Sequence, residues 1–149
     1  VLYESRSEMR LYLDTNILFF LYTGDTDEVS RDVHALIGDY ENVILTSTIC
    51  AQECIHLFHI GKSGNPKKKD TCDAESFVDW LHEMDIRIIP VSEKHLKTYA
   101  SLPIHGDHRD PNDRLLIAQA ITDRIALISS DHKFAWYEGE GLKFIFNKR

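Results

Sequence analysis

The sequence of 149 residues lacks a long apolar run, a paired set of cysteines and an excess of positive charge. No stretch reaches the roughly 18 uncharged apolar residues that a membrane-spanning helix needs, so we expect none. The three cysteines, Cys50, Cys54 and Cys72, show no repeated spacing, which argues against a disulfide framework and suits a reducing cytoplasm. The formal net charge is −7, whereas a protein that binds nucleic acid by charge alone is normally basic. The negative net charge argues less strongly against a nuclease whose acids hold divalent cations, because the cations reverse the local field.

The rest of the composition predicts one globular domain. Apolar residues make up 43% of the chain and charged residues 28%, both ordinary for a domain with a hydrophobic core. Residues 1–8 show no basic region that leads into an apolar one, so we do not expect a secretory signal there. We interpret residues 1–8 as a leader or a segment added by cloning, and residues 9–149 as a single domain.

Short apolar runs alternate with helical patterns along the chain. The predicted strands are Arg10–Leu13, Val43–Thr46, Ile86–Val91, Ile125–Ser129 and Leu142–Phe146. The segments between them have helical spacing, with Thr26 and Asp73 as expected N-caps of two of the helices. This alternation predicts an α/β fold with a parallel sheet covered on both faces by right-handed crossovers. In such folds the functional site lies beyond the carboxyl ends of the strands.

Acidic residues follow the first and fourth predicted strands. Asp14 stands directly after Leu13, and Asp131 follows the pair Ser129-Ser130. Each acid taken alone is explained as a helix cap, because an Asp side chain readily accepts hydrogen bonds from the first amides of a helix. Their shared place at strand ends also suits ligands of a site at that edge of the sheet.

Glu53 lies on the helix that is predicted after the second strand. At about 100° per residue, Glu53 falls about 40° from Ile49, inside an arc with Leu57 and Ile60. A carboxylate on an inward apolar arc must be paired, protonated or bound to a metal. A buried ion pair with a Lys or Arg is the structural alternative, and we favour the metal.

Two more acids, Asp110 and Asp113, open the helix that precedes the fourth strand. Both have a capping explanation, because an N-cap and a first turn favour carboxylates. The acids at strand ends or on the following helices are Asp14, Glu53, Asp113 and Asp131. Such a set would repel strongly at close range unless cations are present, and Mg²⁺ or Mn²⁺ prefer these oxygen ligands.

These segments together resemble the sequence blocks of PIN domains of the VapC kind. The blocks are Leu13-Asp14-Thr15-Asn16-Ile17-Leu18, Glu53 in its helix, residues 108–120, and Ser129-Ser130-Asp131. The resemblance runs from about Met9 to the C-terminus, and Asn112 departs from it where many relatives carry an aromatic residue. It implies a three-layer α/β/α sandwich and Mg²⁺- or Mn²⁺-dependent cleavage of RNA, leaving 5′-phosphate and 3′-hydroxyl ends. It also implies a VapB-like antitoxin as partner and a homodimer.

The resemblance assigns roles residue by residue. The family's acidic quartet, which holds one or two metal ions and carries catalysis, is matched by Asp14, Glu53, Asp113 and Asp131. Asp110 matches a frequent supporting acid, and Thr15, Asn16 and Ser130 match polar positions that orient ligands or substrate. The expected mechanism is in-line attack by a metal-activated water, without a covalent enzyme intermediate.

Contacts to RNA must come from local basic residues, since the overall charge is negative. The candidates are Lys67, Lys68 and Lys69 on a polar loop, and Arg109, Arg114 and Lys133 near the acids. A lysine run is more often a solvated loop than a nucleic-acid site. His105 and His108 flank Gly106-Asp107, and we interpret them as polar loop residues in preference to ligands.

Two other functional classes stay open. A haloacid-dehalogenase-like phosphatase would use Asp14 as nucleophile, but it needs a second acid where this chain has Asn16. A non-catalytic RNA- or protein-binding module on a PIN fold is the other class. The intact set of acids and the negative charge argue against that module.

Overall fold

The computed structural model describes residues 8–61 and 72–149, which form three layers, helices on both faces of a sheet. Its strands are β1 (Arg10–Leu13), β2 (Val43–Ser47), β3 (Ile86–Ile89), β4 (Ala126–Ser129) and β5 (Phe144–Phe146). Its α-helices are α1 (Thr15–Thr23), α2 (Arg31–Gly38), α3 (Thr48–His59), α4 (Phe77–Glu83), α5 (Glu93–Ser101) and α6 (Pro111–Asp123). Thr26–Glu28 and His132–Glu140 are 3₁₀ helices. Among the described residues, no helix is long and apolar enough to cross a membrane.

The sheet has five strands in the order β3-β2-β1-β4-β5, and all neighbouring strands are parallel. Right-handed connections place α1 to α4 on one face and α5 and α6 on the other. The chain runs outward from β1 to β3 and then returns to β4, so the direction of winding reverses between β1 and β4. This is the position where open α/β sheets form their binding crevice. The predicted parallel sandwich is confirmed.

The central strands are the most deeply buried part of the fold. Leu11, Tyr12 and Leu13 of β1 and Leu127 and Ile128 of β4 are all 0% exposed. Strands covered on both faces are apolar along their whole length, because neither side meets water. A rigid pair of strands therefore carries the residues that follow β1 and β4.

Four predicted strand boundaries differ from the structure: β2 ends one residue later and β4 begins one residue later than predicted, and the boundaries of β3 and β5 are wrong by two residues. β3 ends at Ile89, before Val91, because Pro90 cannot donate a hydrogen bond to the ladder. β5 begins at Phe144, after Leu142, because the Leu142 amide donates to the carbonyl of Tyr137, 3.3 Å away. In both places the backbone amide that a strand needs is missing or already used.

Two predicted helix caps also need correction. Thr26 begins a 3₁₀ helix, and the following α-helix begins at Arg31 with Ser30 as its N-cap, whose side chain accepts from the Val33 amide. Asp73 accepts from the Ser76 amide at 2.8 Å, so it caps the turn before α4 and not α4 itself. In each case the chain makes an extra turn before the regular helix.

Candidate active site

The four predicted acids meet in one pocket at the carboxyl edge of the sheet. Asp14 follows β1, Asp131 follows β4, Glu53 lies in the second turn of α3, and Asp113 lies in the first turn of α6. Their side chains line an open cavity of about 320 Å³ together with Thr15, Asn16, Phe19, Phe20 and Leu57. The fold thus brings together groups that lie up to 117 positions apart, from Asp14 to Asp131, in the sequence.

Asp14 is the buried centre of this pocket, with an exposed fraction of 5%. Its Oδ1 accepts from the Thr15 amide at 2.7 Å, and its Oδ2 accepts from Ser129 Oγ at 2.7 Å and Asn16 Nδ2 at 3.2 Å. The pKa of Asp14 is raised to about 6, chiefly by burial and to a lesser extent by the charges of Glu53 and Asp131, while the hydrogen bonds from Ser129 and Thr15 lower it. Its carboxylate is held in one orientation but is costly to charge.

Glu53 reaches the same pocket for a different reason than the predicted one. The buried face of α3 is formed by Cys50, Ala51 and Cys54, whereas Ile60 is 57% exposed. Glu53 is half-buried beside that face, and the proposed apolar arc through Ile60 was wrong. Thr15 Oγ1 donates to Glu53 Oε2 at 3.0 Å. Within residues 8–61 and 72–149, no Lys or Arg forms an ion pair with Glu53, so the structural alternative of a buried pair gains no support there.

Asp110 and Asp113 have separate positions at the start of α6. Asp110 is exposed and caps the helix, accepting from the Asp113 amide at 3.0 Å. Asp113 is half-buried in the pocket, and its pKa is raised to about 8, chiefly by burial and then by the charges of Asp14 and other acids. Asp110 therefore caps the helix that carries Asp113, and its negative charge is one of those that raise the pKa of Asp113.

Ser129, and not Ser130, supplies the hydroxyl group that forms hydrogen bonds with both Asp14 and Asp131. Ser129 Oγ donates to Asp14 and accepts from the Asp131 amide at 3.0 Å. The Ser130 hydroxyl instead accepts from Asn147 Nδ2 at 2.8 Å, and its backbone amide donates to Asn16 Oδ1 at 3.2 Å. This role of Ser129 was not predicted from the sequence. The feature that could have indicated it is a polar residue at the end of an otherwise apolar, buried strand.

His108 was missed as a residue of the site. It is 4% exposed, and its Nε2 lies 3.4 Å from Asp113 Oδ2 without the geometry of a hydrogen bond. Ligand atoms of His108, Asp113 and Asp131 all lie within 4.8 Å of one another. His105, in contrast, pairs with Glu140 at 3.0 Å, as a polar loop residue would. Both histidines lie on the loop before α6, but the side chain of His108 is buried beside the acids.

The basic candidates divide into buried and accessible residues. Arg114 is 7% exposed, and its guanidinium donates to the Leu102 carbonyl at 2.6 Å, so the prediction that it contacts RNA was wrong. Lys133 pairs with Asp107 at 3.1 Å and remains partly accessible, and Arg109 is exposed. Lys67, Lys68 and Lys69 lie outside the described residues.

The chemistry of the pocket fits a divalent cation. Carboxylate oxygens are the ligands that Mg²⁺ and Mn²⁺ prefer. The raised pKa values of Asp14 and Asp113 reflect burial and mutual repulsion, which a bound cation would offset. His108 Nε2, a buried ring nitrogen that has no hydrogen-bond partner among residues 8–61 and 72–149, is a further candidate ligand atom of a kind that metals bind.

Comparisons with known proteins identify the fold. The family model described as "PIN domain" matches residues 11–139. A search of curated protein sequences gave no match.

Solved structures of toxin-antitoxin proteins have a similar fold. The structure of VapBC2 from Rickettsia felis, bound to a DNA fragment from the VapBC2 promoter, has a TM-score of 0.63 and 24% identity, and the match covers 94% of this chain and 100% of that chain. VapBC-1 from nontypeable Haemophilus influenzae has a TM-score of 0.59 and 17% identity over 93% and 98% of the two chains. VapBC-5 from Mycobacterium tuberculosis, from the VapBC family of toxin-antitoxin systems, has a TM-score of 0.58 and 19% identity over 94% and 98%.

Proposed function

Because this chain belongs to the PIN domain family, we propose that it is a metal-dependent endoribonuclease that hydrolyses RNA phosphodiester bonds. The observation that carries the proposal is the single pocket lined by Asp14, Glu53, Asp113 and Asp131. These acids come from separate elements of the fold, and converging carboxylates are unfavourable unless cations are bound. Membership of the PIN domain family also argues against the haloacid-dehalogenase-like phosphatase that the sequence left open.

The four carboxylates would hold one or two ions of Mg²⁺ or Mn²⁺. When bound, such an ion supplies a Lewis acid that offsets the charge of the scissile phosphate and lowers the pKa of water. Asp14 is the most firmly positioned of these ligands, since Thr15, Asn16 and Ser129 all donate to it.

The protein's own residues would orient the hydrolytic reaction. Thr15 connects two of the acids, because its amide donates to Asp14 and its hydroxyl donates to Glu53. In this hydrolysis a water oxygen bonds to phosphorus, the bond between phosphorus and O3′ breaks, and one proton of the water ends on O3′. The products are a 5′-phosphate and a 3′-hydroxyl. No side chain of the pocket needs to form a covalent bond to phosphorus.

The borders of the pocket suit a nucleotide chain. Phe19, Phe20 and Leu57 form an apolar wall beside the acids, against which a base or ribose can pack. Arg109 and Lys133 are the accessible basic residues that we assign to phosphate contacts. Both lie close in sequence to acids of the site, Arg109 to Asp110 and Lys133 to Asp131.

We further propose that the chain is the toxin of a VapBC-type toxin-antitoxin pair, with a VapB-like antitoxin as partner. The support is the shared fold of VapBC complexes, including one described as a toxin-antitoxin system. The resemblance to VapC proteins also implies a homodimer, and a cytoplasmic location would bring the enzyme into contact with cellular RNA. Induced expression in a bacterial host should arrest growth, and Asp113→Asn should relieve the arrest. Equal arrest by both proteins would contradict the toxin assignment.

The direct biochemical test is RNA cleavage with Mn²⁺ or Mg²⁺, with and without EDTA. The proposal predicts cleavage that depends on metal and on the acids of the pocket. RNA binding without any cleavage would instead favour the non-catalytic module.

A further inference from the structure

One buried ring nitrogen lies beside the acids and has no hydrogen-bond partner in the part of the chain that the structure describes. His108 lies on the loop between α5 and α6 and is 4% exposed. Within the described residues its Nε2 accepts and donates no hydrogen bond, and the 3.4 Å contact with Asp113 Oδ2 is too poorly oriented to count as one. Buried polar atoms in native proteins are nearly always bonded, so this nitrogen requires an explanation.

The packing around His108 holds the ring in this direction. Its ring makes edge contacts with Phe134 and Tyr137, at centroid distances of 5.7 Å and 5.4 Å. Its Nδ1 lies 2.8 Å from the Tyr137 hydroxyl oxygen, and Tyr137 itself is 0% exposed. The imidazole therefore cannot turn Nε2 towards solvent without losing these contacts.

The two carboxylates nearest to Nε2 complete a group of ligands. One ligand atom each from His108, Asp113 and Asp131 lie within 4.8 Å of one another. We propose that His108 Nε2 binds a divalent transition-metal ion jointly with Asp113 and Asp131. This inference rests on the proposed function, because the ion would occupy the same pocket.

The contact with Tyr137 is compatible with the ring form that binds metal, because a hydroxyl oxygen can accept from Nδ1–H as well as donate to Nδ1. Ligation through Nε2 requires a lone pair there, so the ring hydrogen must be on Nδ1, where the Tyr137 oxygen accepts it. A metal-binding histidine almost always donates its other ring N–H to such a partner, and loss of the partner weakens metal binding. Tyr137 is thus a positioning residue for the ligand.

A nitrogen ligand changes which metal the site prefers. Carboxylates alone suit both Mg²⁺ and Mn²⁺, whereas imidazole nitrogen is a poor ligand for Mg²⁺ and a better one for first-row transition metals. The site should therefore bind Mn²⁺ more tightly than Mg²⁺, and His108 should account for the difference.

Pulsed electron paramagnetic resonance of the Mn²⁺-loaded protein tests this directly. Wild type should show hyperfine coupling from a directly bound imidazole nitrogen, and ¹⁵N-labelled histidine should change that signal as expected for the isotope. His108→Gln should remove the coupling and weaken Mn²⁺ binding by at least roughly tenfold, with Mg²⁺ binding almost unchanged. The matched control is His105→Gln, on the same loop but paired with Glu140, which should retain the coupling.

A second variant covers the case in which His108→Gln does not fold. Tyr137→Phe keeps the ring and removes only the hydroxyl acceptor, and it should weaken Mn²⁺ binding by roughly 10- to 100-fold. Mn²⁺ that binds wild type without nitrogen coupling would overturn this inference and leave the proposed nuclease standing. Coupling that persists in His108→Gln would overturn it as well. No Mn²⁺ binding at all would overturn both proposals.

Discussion

Ser129 Oγ donates to Asp14 Oδ2 over 2.7 Å and so joins the carboxyl ends of β4 and β1, where the winding of the sheet reverses. The bond favours the ionised form of a carboxyl group whose pKa is raised by burial. The same serine oxygen accepts from the Asp131 amide, so one hydroxyl group positions two of the acids.

Ser129→Ala should therefore raise the pKa of Asp14 above its value of about 6 and weaken metal binding near neutral pH. The free energy of unfolding should fall by about 1–3 kcal/mol, because a buried acceptor loses a donor. Carboxyl-selective NMR titration and thermal melts measure both effects. Ser130→Ala is the matched control, since its hydroxyl serves Asn147 and should leave the Asp14 titration unchanged. Equal titrations in wild type and Ser129→Ala would contradict the assigned role.

The stability of the metal-free protein should fall as the pH rises through 6.5–8, a window that ends at the raised pKa of Asp113 of about 8. In this window the folded state holds a proton on Asp113 that the unfolded chain, with an ordinary pKa near 3.8, has already released. Stability falls with pH when the folded state binds more protons, here by roughly 1–2 kcal/mol across the window.

Urea unfolding at several pH values, with chelator present, checks this slope. Asp113→Asn should flatten it, and Asp79→Asn, an exposed acid on α4, should not. Saturating Mn²⁺ should also reduce the slope, because the bound cation keeps the carboxylate ionised. Identical slopes for wild type and Asp113→Asn would rule out the raised pKa.

Glu53→Gln should leave the metal-free protein as stable as wild type or more stable, because it removes repulsion and keeps an acceptor for Thr15. Metal-induced stabilisation should shrink, since a ligand that binds only the folded state adds RT ln(1 + [L]/Kd). Melts with and without Mn²⁺ measure this, with Glu83→Gln on the exposed face of α4 as control. A loss of roughly 3–5 kcal/mol without metal would instead indicate a broken buried ion pair.

Substitutions of Arg109 and Arg114 should have different effects: the first should weaken RNA binding, and the second should lower the free energy of unfolding. Arg109→Ala removes an exposed cation and should weaken RNA binding and reduce its salt dependence by about one phosphate contact, with little effect on stability. Arg114→Met removes a buried guanidinium that donates to the Leu102 carbonyl, and should cost about 2–3 kcal/mol. Each change is made in the Asp14→Asn variant, so that the RNA is bound without being cleaved. Filter binding then measures the RNA affinity and its salt dependence, and thermal melts measure the stability. The reverse pattern would show that the two arginines have been assigned to the wrong roles.

The strand-end acids were predictable because each follows a strongly apolar segment. Asp14 and Asp131 were placed correctly by the rule that parallel sheets collect functional groups at one edge. Asp113 was predictable because its helix start carries a clear capping pattern. These inferences depend only on local sequence and on topology.

The remaining parts of the site depend on packing that no local pattern encodes. Arg114 stands next to Asp113 in sequence, but one step along a helix turns a side chain by about 100°, which here means the interior and not the pocket. His108 joins the site because Tyr137, from a distant segment, holds its ring. Glu53 does line the pocket, but it was predicted there from an apolar arc that α3 does not have.

The central claim is that the four carboxylates hold the metal that cleaves RNA, and one measurement tests it most directly. Purified wild type and Asp113→Asn, each confirmed folded by circular dichroism, are incubated with end-labelled RNA in Mn²⁺ and in EDTA. Wild type should produce fragments with 5′-phosphate ends in Mn²⁺ and none in EDTA, and Asp113→Asn should be slower by roughly 100-fold or more. Cleavage that survives EDTA, or full activity in folded Asp113→Asn, would contradict the account.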